Sequence, residues 1–86
     1  GAGGVEEGRV ASMRVFPNPG EGLVTVVLPQ QAVGSDYRLV DITGAEVLHG
    51  RISGMLVDLD LTALAAGTYL LRVEGGSVAP VRVVKR

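Results

Sequence analysis

The sequence contains no cysteine and no tryptophan, and His49 is its only histidine. Without cysteine, disulfide bonds and thiolate metal sites are both excluded. This absence does not exclude an exported protein, because a domain can also be stabilised by its apolar core alone. A zinc site needs at least three protein ligands, so a single histidine gives no support for zinc chemistry. We expect no cofactor.

The chain also lacks a charge excess and a long hydrophobic run. Its 8 basic and 9 acidic residues give a formal net charge of −1, which provides no overall field for nucleic acid or an anionic membrane. The nearest approach to a basic patch is the group Arg82, Lys85 and Arg86. No apolar run approaches the roughly 20 residues of a membrane helix, so no membrane-spanning segment is expected. No signal-peptide pattern starts the chain, and an exported parent protein would carry one further upstream.

Aromatic residues are scarce, since Phe16, Tyr37 and Tyr69 are the only three. We expect all of them at core positions. A carbohydrate-binding module usually presents a row of exposed aromatic rings on which sugars stack. A non-catalytic accessory or carbohydrate-binding module of a surface enzyme is therefore an alternative only because such modules share the size and the fold expected here.

Neither nucleophilic catalysis nor calcium binding has a convincing set of residues. His49 could be combined on paper with one of four serines, but none has a nucleophile-type setting and His49 is expected in a turn. Asp58 and Asp60 alternate in an extended segment and could join Asp36 or Asp41 around calcium, yet no Asp-rich ligand loop is present. We therefore predict that the domain is not an enzyme and that these carboxylates cap turns and provide solubility.

What the sequence does contain is a series of short strand patterns. Hydrophobic residues make up 47% of the chain, and with few aromatics the core must consist of Val, Leu and Ile, of which Val and Ile favour strands. The 13 glycines and 4 prolines fall between the apolar runs and indicate turns. The predicted strands are Met13–Phe16, Leu23–Leu28, Tyr37–Ile42, Val47 to about Gly50, Met55–Leu59, Thr68–Glu74 and Ser77–Lys85. This pattern predicts an all-β domain, an immunoglobulin-like antiparallel β-sandwich of about seven strands.

The turn after the first strand carries two expectations. Pro17 and Pro19 should end that strand, because neither can donate a hydrogen bond to a neighbouring strand. Gly20 and Gly22 should then supply the positive φ of a tight reversal.

Another expectation concerns the segment before the most clearly patterned strand. Leu61–Ala66 is predicted as one short helical turn that begins at a cap such as Asp60 and ends at a left-handed Gly67. Thr68–Glu74 alternates strictly, which places Tyr69 on its inward face. At the other end of the chain, residues 1–12 are rich in glycine and charge. They are predicted to be a flexible linker or a cloning remnant, and residues 13–86 the folded domain.

Several turn and strand-end residues, taken in order, resemble the pattern of a known family. They are Phe16, Pro17, Asn18, Pro19, Gly22, Asp41, Gly44, Asp60, Gly67, Tyr69 and Lys85. The segments resemble an aromatic-Pro-Asn-Pro-x-x-Gly opening, an Asp-x-x-Gly hairpin, an Asp-Leu-Ser-x-Leu-x-x-Gly-x-Tyr run and a last hydrophobic strand with a lysine. This order is similar to that of the C-terminal sorting domains of the type IX, or Por, secretion system. Phe16 stands where tyrosine is common.

The resemblance implies a secretion and cell-surface sorting signal at the end of a larger cargo protein. The implied partners are the type IX translocon, an outer-membrane shuttle protein, and a sortase-like signal peptidase that cuts in or before the linker. These sorting domains belong to Bacteroidetes-type bacteria, and the resemblance implies that the cargo crosses the periplasm and reaches the outer-membrane surface or the medium. Arg86 as the last residue before a stop codon would favour this interpretation, whereas an accessory module could lie inside its parent protein.

Overall fold

The computed structural model describes residues 10–86, which form a sandwich of β-strands with a single turn of 3₁₀ helix at Gln30–Ala32. The strands are β1 (Arg14–Phe16), β2 (Leu23–Val27), β3 (Asp36–Val40), β4 (Glu46–Arg51), β5 (Leu56–Asp60), β6 (Gly67–Val73) and β7 (Val81–Lys85). The predicted all-β, immunoglobulin-like sandwich of about seven strands is confirmed. Within these residues, no helix has the length and apolar character needed to span a membrane.

The strands form two antiparallel sheets. One sheet has the order β1-β2-β5, and the other has the order β4-β3-β6-β7. In the first, Val26 of β2 lies opposite Val15 of β1 and Val57 of β5. In the second, Leu39 of β3 lies opposite Leu71 of β6. The terminal strand β7 pairs with β6 alone and is therefore an edge strand.

The core lies between the sheets and follows from the alternation of apolar residues along the strands. The largest side chains that are completely buried are Leu39, Ile52, Leu59, Leu61, Leu71, Val24, Val26 and Val83. Tyr69 joins this core with an exposed fraction of 7%, as its inward position predicts. No polar or charged residue among those described is buried, so the domain avoids the cost of desolvating such groups.

The predicted helical turn at residues 61–66 is wrong. This segment is an irregular turn closed by one hydrogen bond, which Leu64 N donates to the Leu61 carbonyl at 2.9 Å. A segment this short has too few internal hydrogen bonds to be helical on its own, and burial of Leu61 in the core fixes its course instead. Gly67 has a positive φ of 157°, but it starts β6 in a nearly extended conformation rather than ending a helix.

Every strand differs from its predicted bounds at one or both ends, mostly by a single residue. The differences in β3, β4 and β7 are as follows. β3 ends at Val40, since the Asp41 side chain binds the backbone of the following turn. β7 starts at Val81 instead of Ser77, because Val78 forms an isolated parallel bridge with Ala11. β4 extends to Arg51, so His49, which was expected in a turn, lies within a strand.

Substitution of a buried and an exposed leucine tests how much burial in the core stabilises the sandwich. Leu71 is 1% exposed and Leu56 is 67% exposed. We expect Leu71→Ala to lower the free energy of unfolding by about 2–5 kcal/mol, because it leaves a cavity in the core. Leu56→Ala removes the same atoms from the surface and should cost less than about 1 kcal/mol. Urea unfolding of both variants measures the difference, and equal losses would contradict the assignment of the inner faces.

Candidate functional site

The outer edge of β7 is closed by Asn18. The Asn18 side chain donates from Nδ2 to the carbonyl of Arg82 at 2.7 Å, and its Oδ1 accepts from the backbone N of Val84 at 2.9 Å. A primary amide carries both a donor and an acceptor, so it substitutes here for a residue of a neighbouring strand. Aspartate could supply only the acceptor.

Gly20 continues the same closure through its backbone. Its N–H donates to the Val84 carbonyl at 2.9 Å, and its carbonyl accepts from the backbone N of Arg86, also at 2.9 Å. The outward-facing groups from the Arg82 carbonyl to the Arg86 N–H are thus bound by two residues, Asn18 and Gly20, which we call the edge clamp. Exposed edges are sites of unwanted strand pairing, and the clamp covers this one.

The sequence around the edge clamp explains its shape. Pro17 and Pro19 have restricted φ angles and no N–H to donate, so they limit the conformations that the loop around Asn18 can adopt. Gly20 is buried, and a Cβ added there would lie 2.5 Å from Cγ1 of Val24. Neither Gly20 nor Gly22 has a positive φ, so that expectation was wrong. Close packing explains the glycine at position 20.

Two side chains of adjacent strands hold the turn between β5 and β6. The Tyr69 hydroxyl donates to the Ala65 carbonyl at 2.5 Å, and the Lys85 ammonium donates to the Leu64 carbonyl at 2.9 Å. At the start of the turn, Asp60 Oδ1 accepts from the backbone N of Thr62 at 3.0 Å. Lys85 therefore binds a turn that lies 21 residues earlier in the sequence.

The remaining motif residues lie at the same end of the sandwich. The Gly22 carbonyl accepts from Leu61 N at 2.9 Å, which joins the loop after β1 to the turn after β5. Asp41 forms its own turn, in which Oδ1 accepts from the N and the hydroxyl of Thr43 at 2.9 and 2.6 Å, and Gly44 has φ +87°. The structure thus gathers the four motif segments at one end, although the Asp41 turn shares no hydrogen bond with the edge clamp.

Phe16 departs from the expectation that every aromatic belongs to the core. It lies on the outer face of the three-stranded sheet, opposite Thr25, and is 49% exposed. Tyr37 is half-buried and Tyr69 is buried. The residues described therefore present a single exposed aromatic ring and no row of rings for sugar stacking.

The other polar residues considered from the sequence have separate partners. His49 Nδ1 lies 2.7 Å from Glu46 on the surface, and Asp58 accepts from the hydroxyl of Thr25 at 2.9 Å. Among residues 10–86, no three His, Asp or Glu side chains come together as metal ligands. The geometry that stands out is therefore structural: distant segments meet on the terminal strand.

A comparison with protein families agrees with this arrangement. The model of a family described as "Secretion system C-terminal sorting domain" matches residues 14–85. The chain belongs to this family. None of the curated proteins compared with the chain matches it. The sorting domain is the C-terminal signal of type IX secretion cargo, and its destination is the cell surface or the outside of the cell.

Two carboxylates at the motif-bearing end of the sorting domain have lowered pKa values. Hydrogen bonds from the side chain and the backbone of Thr43 lower the pKa of Asp41 below its ordinary value. Hydrogen bonds from the side chain and the backbone of Thr62 do the same for Asp60. In each case the charged form is the better acceptor and is favoured by these donors. Both turns are therefore tightest when the carboxylates are ionised.

The lowered pKa values of Asp41 and Asp60 determine how the free energy of unfolding changes with pH. A carboxylate whose pKa is lower in the folded protein contributes stability above its unfolded pKa, and that contribution is lost as the pH falls through the folded pKa. We expect the free energy of unfolding to decline below about pH 4. The free energy of unfolding of the Asp41→Asn/Asp60→Asn double variant, measured by urea denaturation, should decline less across this pH range. An identical pH profile would contradict the role of the two turns.

The two glycines of the first loop provide a matched test of the edge clamp. Gly20→Ala should cost about 1–3 kcal/mol, because the new Cβ overlaps Val24 in a packed region. At Gly22 a Cβ would lie 3.6 Å from Thr62 Oγ1, an ordinary contact, so Gly22→Ala should be tolerated. Thermal unfolding of the two purified variants makes the comparison, and a larger loss at Gly22 would show that the packing argument is wrong.

Proposed function

We propose that the type IX machinery recognises the sorting domain through the motif-bearing end of the sandwich, and that it reads this end as a folded surface. The observation that carries the proposal is the meeting of the motif segments on β7. Asn18 and Gly20 bind its outer edge, and Lys85 connects its end to the turn at Leu64. A receptor that docks on this end would contact segments from the beginning, middle and end of the domain at once.

The proposed partners are the type IX translocon and an outer-membrane shuttle protein. In this scheme the domain passes through the periplasm as part of its cargo and is then received at the outer membrane. It acts without catalytic chemistry or a cofactor of its own. The motif residues Asn18, Asp41 and Tyr69 support a role without catalysis, since their polar groups already bind other parts of the domain.

We further propose that a sortase-like signal peptidase cuts the chain before Ala11. Most of the predicted linker, residues 1–9, lies outside the residues that the structure describes. Ala11 itself is paired, because its N donates to the Ser77 carbonyl at 3.2 Å and its carbonyl accepts from Ala79 N at 2.8 Å. Proteases prefer exposed segments without such backbone pairing, so the cut should fall upstream of this bridge.

Export of a reporter tests the proposed recognition. Fused to the C-terminus of a reporter with its own export signal, the domain should direct it to the surface of a type IX host. A translocon-deficient strain should retain the reporter. Asn18→Asp removes the donor to Arg82 and costs about 1–2 kcal/mol, so the domain should stay folded. We expect this variant to lower surface export by roughly tenfold, the factor that corresponds to about 1.4 kcal/mol of binding free energy, because it alters the edge that the receptor would contact.

A control variant separates recognition from stability. Val57→Ala removes part of a half-buried side chain in the middle of β5, which lies at the opposite edge of the three-stranded sheet from β1, and it should have a similar stability cost. Export of Val57→Ala should remain near that of the unchanged domain. If both variants lose export equally, the assay reports stability alone; if both are exported normally, the motif-bearing end is not what the machinery reads.

A further inference from the structure

Three arginines cluster on the outer face of the four-stranded sheet. Arg38 of β3 lies directly opposite Arg72 of β6. Arg82 of β7 lies opposite Leu70, which places it diagonally next to Arg72. All three arginines are exposed. We call Arg38, Arg72 and Arg82 the arginine cluster.

The arginine cluster is unfavourable for the isolated domain. Like charges directly opposite one another destabilise a pair of strands. Glu74 compensates only one of them, since its Oε2 lies 2.8 Å from Nε of Arg38. In the described part of the chain, Arg72 and Arg82 have no carboxylate within ion-pair distance. A pairing that opposes stability in an otherwise consistent fold is typical of a functional surface.

The other basic side chains of this sheet face lie beside acidic ones, which makes the cluster distinct. Arg51 lies 3.9 Å from Asp36 at the far edge, and His49 is hydrogen-bonded to Glu46. The net charge of the whole chain is only −1. Among the described residues of this sheet face, the excess positive charge therefore lies on β6 and β7.

An open groove of about 320 Å³ runs beside Arg72 and Arg82. Its lining includes the apolar side chains of Val40 and Leu70 and the turn residue Ile42, which is 86% exposed. Asp41 also lines the groove, but its Oδ1 is bound by its own turn. The groove thus combines an apolar wall with two guanidinium groups that have no carboxylate partner among residues 10–86.

We propose that this groove docks an extended, acidic segment of a protein in the secretion pathway, with an apolar residue of that segment packed near Ile42. This inference rests on the proposed function. Diagonal neighbours in a sheet are roughly 7–8 Å apart, and side chains on one face of an extended chain recur about every 6.8 Å. Carboxylates two residues apart therefore match Arg72 and Arg82, and each can form a paired hydrogen bond with a guanidinium group.

An acidic protein segment fits the groove better than an anionic lipid surface. The apolar wall formed by Val40, Leu70 and Ile42 offers contacts that a phosphate group does not use. Asp41 at the rim and the net charge of −1 both oppose a densely anionic membrane. A short segment that places two carboxylates and one apolar side chain avoids both difficulties.

Binding of synthetic peptides to the purified domain tests the docking chemistry. The probe is a fluorescent peptide, Ser-Leu-Ser-Glu-Ser-Glu-Ser, and its control carries Gln in place of both Glu residues. We expect the Glu peptide to bind at least about tenfold more tightly than the Gln peptide, and to weaken with salt. Arg72→Gln/Arg82→Gln should abolish this preference. Arg51→Gln, on the same sheet face but away from the groove, should leave it unchanged.

Thermal unfolding separates docking from a structural role. Arg72→Gln relieves the repulsion with Arg38, so its unfolding midpoint should stay level or rise while peptide binding falls. A lower midpoint would indicate that Arg72 supports the fold. The inference is overturned if the Glu and Gln peptides bind alike. It is also overturned if vesicles of phosphatidylglycerol bind the domain more strongly than the Glu peptide and lose that binding in the same double variant.

Reporter export connects the groove to the pathway. We expect the Arg72→Gln/Arg82→Gln fusion to reach the surface at roughly one-tenth of the normal level, because charged rim contacts mainly accelerate encounter. If the unchanged domain does not direct export, the proposed function fails. If the unchanged domain and the double variant are exported equally, the function stands and the docking inference fails.

Discussion

The outer edge of β7 would present a row of unpaired backbone groups if Asn18 and Gly20 did not bind it. β7 is held on its other side by β6 alone, and a strand with one free edge can separate or pair with another chain. The edge clamp supplies hydrogen bonds from the Arg82 carbonyl to the Arg86 N–H. Because the clamp comes from the first loop, it also ties the beginning of the domain to its end.

The same constraint accounts for the positions of residues far from the clamp. Lys85 can reach the Leu64 carbonyl only while the end of β7 stays beside Gly67 of β6. Tyr69, buried on β6, holds the neighbouring Ala65 carbonyl. The turn between β5 and β6 needs both bonds, since it has no helical structure of its own. The motif residues at this end therefore depend on one another.

Much of the fold could be predicted from the sequence, because apolar residues occupy every second position where strands are well packed. This alternation predicted that Tyr69 points inward, and together with the turn residues it predicted the number of strands. Pattern alone could not show that Asn18 acts as a substitute strand residue, since that contact spans 64 residues of sequence. It also misplaced Phe16, because a three-residue strand at a sheet edge has too little alternation to define its inner face. The helix expected at Leu61–Ala66 failed because core burial overrode local preference.

The distribution of hydrogen bonds separates two tasks within the sorting domain. Asn18 uses both polar atoms of its amide on β7, Tyr69 is buried, and Gly20 offers no side chain. These motif residues are therefore committed to the fold, and they can influence a receptor only by shaping the surface between them. The side chains that remain free to meet a partner are their neighbours, such as Ile42 in the Asp41 turn and Arg82 on the clamped strand. A family motif can in this way specify the position of a docking surface while the residues that touch the partner lie outside the motif.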